Sequence, residues 1–170
     1  ARRSVHRQRM GRIGGRGVAC DNASRKCAYC EWLMASDTDD LFAAALAVQA
    51  NAHAPYSHFR VGAAVRTASG RVFSGCNVEN AAYPQGSCAE AGAISAMVAA
   101  GESVIVAVLT VCDGEAIGTC CGGCRQRLRE FASGNTPIYA AGPEGVRATF
   151  TLDELLPHSF GPEHLSEFQQ

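Results

Sequence analysis

The chain has 170 residues, a formal net charge of −1, 47% hydrophobic residues and nine cysteines. That length suits one domain with a packed core, and no apolar run approaches the ~20 residues of a membrane span. An odd cysteine count in a chain of this size argues against a disulfide framework, and a reducing, cytoplasmic setting with thiols held by metal is expected instead.

Charge divides the chain at Met34. Residues 1–33 carry eight Lys and Arg against two acids, whereas residues 34–170 carry seven Arg against fourteen acids. The first segment mixes Arg, Gly and Ser without periodicity. An Arg-rich, acid-poor leader can be a transit peptide, but Met34-Ala35-Ser36-Asp37 reads as a natural start. Residues 1–33 are expected to be mobile and dispensable, and 34–170 to be the catalytic domain. Cys20, Cys27 and Cys30 offer only three potential ligands and make a poor metal site.

From Asp37 to Asn51 the pattern predicts an amphipathic helix, capped by Asp37 or Thr38, with Leu41, Ala45 and Val48 inward. Val61–Thr67 and Arg71–Cys76 flank Ala68-Ser69-Gly70 and read as a β-hairpin. A helix follows Cys88 and ends at Gly101. Val104–Val111 is a continuous apolar run, the mark of a strand covered on both faces. A second helix opens at Cys121, Pro137–Ala141 reads as a strand, and Arg147–Thr151 as a further one. This alternation predicts an α/β fold, a three-layer α/β/α unit with a mixed sheet between helices. Ligands of such sheets bind beyond strand ends, where both cysteine-bearing helices begin.

Those two helix starts carry the chemistry. Cys88-Ala89-Glu90 and Cys121-Gly122-Gly123-Cys124 supply three thiols and one acid. A structural zinc site would be closed by a fourth Cys or His; three ligands leave a position open for water, with a proton acceptor beside it. Cys121 and Cys124, at i and i+3, share one helix face. Cys88 and Glu90 would point about 200° apart inside a helix, but at its first turn both can face an ion in front of the helix end. Two helix N-termini add partial positive charge and free N–H groups near the thiolates.

Four blocks in order resemble the zinc-dependent deaminases and, within them, the small homotetrameric cytidine deaminases: Ala54 to Ala64, Asn77 to Pro84, the two cysteine motifs with Arg125-Gln126, and Leu155 to Pro162. The resemblance implies the cytidine deaminase-like fold with a five-stranded sheet and hydrolysis of cytidine and deoxycytidine to uridine and deoxyuridine, a pyrimidine-salvage reaction. It implies one zinc per subunit on Cys88, Cys121 and Cys124, with Glu90 as catalytic acid and base. Asn77, Glu79 and Tyr83 are implied to hold the ribose, with Phe59 and Ala89 against the base and Phe160 reaching a neighbouring subunit's site. His53 and His58 are read as structural. Two positions depart from the family: Ala91 stands where an arginine commonly follows the glutamate, and Cys120 replaces the usual Pro.

Other functions fit less well. A nucleic-acid deaminase needs electropositive surface, which the acidic body lacks, and the leader has no interleaved aromatics for stacking bases. A nucleotide deaminase would need a phosphate site that the sequence does not display. A redox module or a structural zinc fold leaves Glu90 unexplained.

Overall fold

The computed structural model describes residues 28–168. Most of the basic leader, with Cys20 and Cys27, therefore lies outside the described residues. Helix α1 spans Ala28–Gln49 and strands β1 and β2 span Val61–Thr67 and Val72–Cys76. Helix α2 (Ala89–Ala99), strand β3 (Ile105–Cys112) and helix α3 (Gly122–Arg129) follow. Strands β4 (Pro137–Gly142) and β5 (Gly145–Thr151) and the short helix α4 (Leu152–Leu155) complete the frame, before a 3₁₀ segment over Pro162–Phe168.

The five strands form one mixed sheet in the order β2-β1-β3-β4-β5. β3 and β4 run parallel, joined through α3, and the other neighbours pair antiparallel. The side-chain period of two divides β1 and β3 between two cores. Ala64, Leu109, Val111 and Ala141 meet Leu41 and Ala45 of α1 on one face. Val65, Val108 and Ile138 meet Ile94 and Met97 of α2 and Leu128 of α3 on the other. Each large apolar side chain buried this way is worth about 1.5–3 kcal/mol relative to exposure.

Three details differ from the sequence reading. α1 begins at Ala28, so Asp37 and Thr38 lie within the helix instead of capping it. The residues upstream include Glu31, Leu33, Met34 and Ala35, all good helix formers. The inward stripe of α1 ends on Gln49, which is 5% exposed, instead of Val48. Gln49 stays satisfied because its Nε2 donates to the Arg60 carbonyl at 3.0 Å and to Asp113 Oδ1 at 3.3 Å, which ties the helix to the ends of β1 and β3. Finally, Val106 is 42% exposed within the otherwise covered β3. The β1–β3 register shifts there, with Arg66 opposite Ala107 and Thr67 opposite Ile105, and Val106 is the extra, outward-turned residue of this bulge.

Two glycines position α2. Gly101 adopts φ +82° just beyond its C-terminus, a conformation that stops a helix cheaply only without a Cβ. Gly75 of β2 lets the helix backbone come close: a Cβ there would sit 2.5 Å from the Ala93 nitrogen and 2.7 Å from the Ala89 carbonyl. The N-terminus of α2 is thereby pressed onto the sheet.

Candidate active site

Cys88 is the N-cap of α2 and Cys121 the N-cap of α3, both with extended backbone (ψ 156° and 164°). Cys124 lies in the first turn of α3 and is fully buried against the core. Their sulfurs converge. Cys88 Sγ and Cys121 Sγ are 3.7 Å apart, and all three sulfurs lie within 4.8 Å of one another. Zn–S bonds of about 2.3 Å at tetrahedral angles place two sulfurs about 3.8 Å apart, so the donor set fits one zinc. Among the described residues this is the one cluster of three or more His, Cys, Asp or Glu side chains arranged to hold a metal, and no histidine joins it.

The thiols differ in acidity. Burial, above all, raises Cys88 and Cys124 from the ordinary thiol range, and the neighbouring Glu90 raises both further. Burial also acts to raise Cys121, but hydrogen bonds from the Cys124 backbone N–H and from the Cys124 and Cys88 thiols outweigh it, and Cys121 falls below the ordinary value. Cys120 is different again. It is 2% exposed within the core cluster, and burial pushes its thiol up to about 11. Its sulfur is not in the metal cluster; that of Cys121 is.

Arg125 holds the turn before Cys121. Its guanidinium donates to the Cys120 carbonyl, the Leu155 carbonyl and Thr119 Oγ1, each at 2.8 Å. It therefore braces the backbone next to the ligands and makes no hydrogen bond to their thiols where Ala91 leaves out an arginine.

A cavity of about 210 Å³ opens over the sulfurs, lined by Phe59, Asn77, Cys88, Ala89, Glu90, Thr110 and Cys121 among others. Glu90 is 3% exposed in the first turn of α2, where the helix end favours a carboxylate. Thr110 Oγ1 donates to Glu90 Oε1 at 3.4 Å. The acid, two of the sulfurs and an aromatic wall thus share one small enclosure.

The segment that faces Glu90 is braced by the residues expected to grip a sugar. Asn77 Oδ1 accepts from the Val61 N–H at 2.8 Å, and its Nδ2 donates to the Phe59 carbonyl at 2.9 Å. Glu79 Oε2 accepts from the backbone N–H groups of Tyr56 at 2.9 Å and Ser57 at 3.2 Å, and Oε1 accepts from the Ser57 hydroxyl. The Ser57 hydroxyl bond, above all, and the Tyr56 N–H keep the Glu79 carboxyl below the usual range. Ser57 Oγ in turn accepts from the Phe59 N–H at 3.0 Å. His58, at φ +56°, makes the turn into Phe59.

The expected site residues do not all meet in one place. Phe59, Asn77, Ala89 and Glu90 line the metal cavity, whereas Glu79 and Tyr83 line an adjacent cleft of about 390 Å³ with Tyr56 and Asn80. Tyr83 is 75% exposed and packs edge-to-face on Tyr56 at 5.8 Å. Phe160 is 54% exposed, stacks on His164 at 4.9 Å and does not line its own chain's cavity. Sequence reasoning misses Thr110 and the bracing by Ser57; the lone hydroxyl in the apolar run of β3 is the one available signal for Thr110, and nothing local marks Ser57. Arg125 is legible as a candidate to compensate for the arginine absent at Ala91, but its guanidinium turns to two carbonyls and Thr119.

Comparison with known proteins agrees with this geometry. The family model for the cytidine and deoxycytidylate deaminase zinc-binding region matches residues 35–140. A cytidine deaminase of Sporosarcina psychrophila is 38% identical over 130 residues, covering 76% of this chain and 96% of that one. One from Halalkalibacterium halodurans is 34% identical over 131 residues, covering 77% and 99%. Among solved structures, the cytidine deaminase of Burkholderia pseudomallei superposes with a TM-score of 0.67 at 38% identity, covering 71% of this chain and 97% of that one. That of Mycobacterium tuberculosis gives 0.64 at 37% identity, covering 74% and 98%. With its sulfur cluster, its buried acid and its sheet order in place, the chain belongs to the cytidine and deoxycytidylate deaminase zinc-binding family.

Proposed function

We propose that the chain removes the exocyclic amine of cytidine and deoxycytidine by hydrolysis, giving uridine or deoxyuridine and ammonia. The observation that carries this reading is the buried Glu90 carboxylate in the same enclosure as Cys88 and Cys121, two of the three clustered thiols. Cys88, Cys121 and Cys124 hold the metal with their sulfurs. Zinc, when bound, supplies the Lewis acidity that makes water a nucleophile near neutral pH. Glu90 accepts the proton of that water and delivers it to ring N3, which makes C4 electrophilic. Once the water oxygen has bonded to C4, Glu90 takes the second proton from that new hydroxyl and passes it to the amine as the C4–N bond breaks, so one group serves as base and then acid. Water supplies the new oxygen, and the amine leaves as ammonia.

Phe59 and Ala89 flank the base. Asn77 and Glu79 serve the sugar while holding the Phe59 segment. A carboxylate has about four lone-pair positions, so the three donors already on Glu79 leave one for a ribose hydroxyl. Tyr83 closes the sugar side. Phe160, exposed on its own subunit, enters a neighbour's site in a homotetramer. The acidic body favours an uncharged nucleoside over nucleic acid, and the setting is cytoplasmic salvage. Among the described residues no helix is long and apolar enough to cross a membrane.

The test follows cytosine absorbance with cytidine, deoxycytidine and their phosphates. Turnover of the nucleosides is expected, and activity on the phosphates alone would overturn the substrate assignment. Residues 1–33 are proposed to be dispensable, because the part of α1 after Met34 already packs on the sheet through Leu41 and Ala45 and is tied to it by Gln49. The protein begun at Met34 should keep kcat/KM within about twofold. Loss of turnover in a folded truncation would show that the leader contributes.

A further inference from the structure

The run Ile105–Cys112 reads Ile-Val-Ala-Val-Leu-Thr-Val-Cys, so Thr110 is its single hydroxyl. Thr110 is 4% exposed on the central strand, paired with Ala63 of β1 on one side and Ala140 of β4 on the other. Valine has nearly the same shape and would pack there without a polar atom. A buried hydroxyl is unfavourable unless it finds a partner. Its side-chain partner is Glu90 Oε1, 3.4 Å away. Both residues line the metal cavity.

We infer that Thr110 is a positioning residue that orients the Glu90 carboxylate for proton transfer, an inference that rests on the deamination reading above. Glu90 must serve water, ring N3 and the leaving amine in one turnover, so its plane has to be fixed while its reacting oxygen stays open. Among the described residues Thr110 is the one hydroxyl or N–H that donates to the Glu90 side chain, at Oε1, and the Cys124 thiol is the other side chain in hydrogen-bond reach of that carboxylate. The backbone of Thr110 is held by strands on both sides, so its hydroxyl is a rigid anchor, whereas Glu90 sits one residue inside a helix end. The contact is long at 3.4 Å, and catalytic hydrogen bonds of this kind commonly tighten when substrate fills the site.

The experiment compares wild type, T110V and T110S as zinc-loaded proteins. T110V keeps the β-branched shape and deletes the donor; T110S keeps the donor and deletes the methyl group. T110V is expected to lower kcat for cytidine about tenfold while KM and the calorimetric Kd for uridine stay within about twofold, and T110S to recover most of the rate. Zinc content should remain one per chain in all three. Wild-type kcat in T110V would overturn the inference. So would a T110S as slow as T110V, which would assign the effect to packing of the methyl group. A loss confined to KM would make Thr110 a substrate contact and also overturn it. Should T110V fail to fold, T110A deletes the same donor and is judged by the same criteria. Wild type measured alongside separates the two readings: turnover by wild type with an unaffected T110V sinks this inference alone, and no turnover by wild type sinks both.

Discussion

Replacing Glu90 by glutamine is expected to leave zinc bound and lower kcat by about 10⁴-fold, the upper end of what a general acid–base contributes. The amide is nearly isosteric, so it should preserve the first turn of α2 and the hydrogen bond from Thr110. It cannot accept a proton from water or return one to the departing amine. Because both transfers pass through one side chain, the loss should fall on kcat, with the Kd for uridine changed by no more than a few-fold. Zinc analysis and single-turnover kinetics with cytidine check the result. A Glu90→Gln protein that retains wild-type turnover would remove this carboxylate from the reaction. Since the resting geometry puts Glu90 3% exposed in a cavity of about 210 Å³, bulk water is poorly placed to replace it as proton carrier.

Stripping the zinc with a chelator should abolish turnover, and one equivalent of zinc should restore it. The same step should lower the melting temperature by about 10 °C, the effect of losing a ligand held at some 1,000 times its Kd from a domain of this size. A zinc on Cys88, Cys121 and Cys124 would join the starts of α2 and α3, whose apolar residues share one core, so its removal should loosen that end of the sheet first. Zinc affinity should also depend on pH, and the sign follows from the thiols. Cys88 and Cys124 lie above the ordinary thiol value without metal, chiefly through burial, and so carry protons at neutral pH. Zinc takes thiolates, so binding expels at least these two protons and weakens as pH falls. The apparent affinity should change by about a hundredfold per pH unit around neutrality, ten for each proton released. Competition titrations with a zinc-binding dye at pH 6, 7 and 8 measure the slope. Turnover that survives with almost no zinc in the protein would exclude the metal from the reaction.

Some of this protein could be read directly from its residues. The strand and helix order was legible because apolar periodicity, Gly101 and the Ala68-Ser69-Gly70 turn act locally, each through the few residues on either side. Cys88-Ala89-Glu90 and Cys121-Gly122-Gly123-Cys124 were legible for the same reason: each motif is a helix start, and a helix start needs only its own first turn to face its ligands outward. The extent of α1 was not, since a cap signal at Asp37 competes with good helix formers before it.

Tertiary structure decided the rest. Only the packing of α2 onto Gly75 and of α3 beside it brings Cys88 within 3.7 Å of Cys121. Burial of Cys120 in the core, against Leu128 and Ile138, is what separates it from its neighbour Cys121 as a ligand. The bracing of the Phe59 segment by Asn77 and Glu79, and the bond from Thr110 to Glu90, join residues 16 to 23 positions apart in the chain. A hydrogen bond across that separation depends on strand register and on how two layers meet, and neither is encoded in a local pattern. Residue types therefore determined which chemistry this chain can perform, while the stacking of helix ends on the sheet determined which atoms are close enough to perform it.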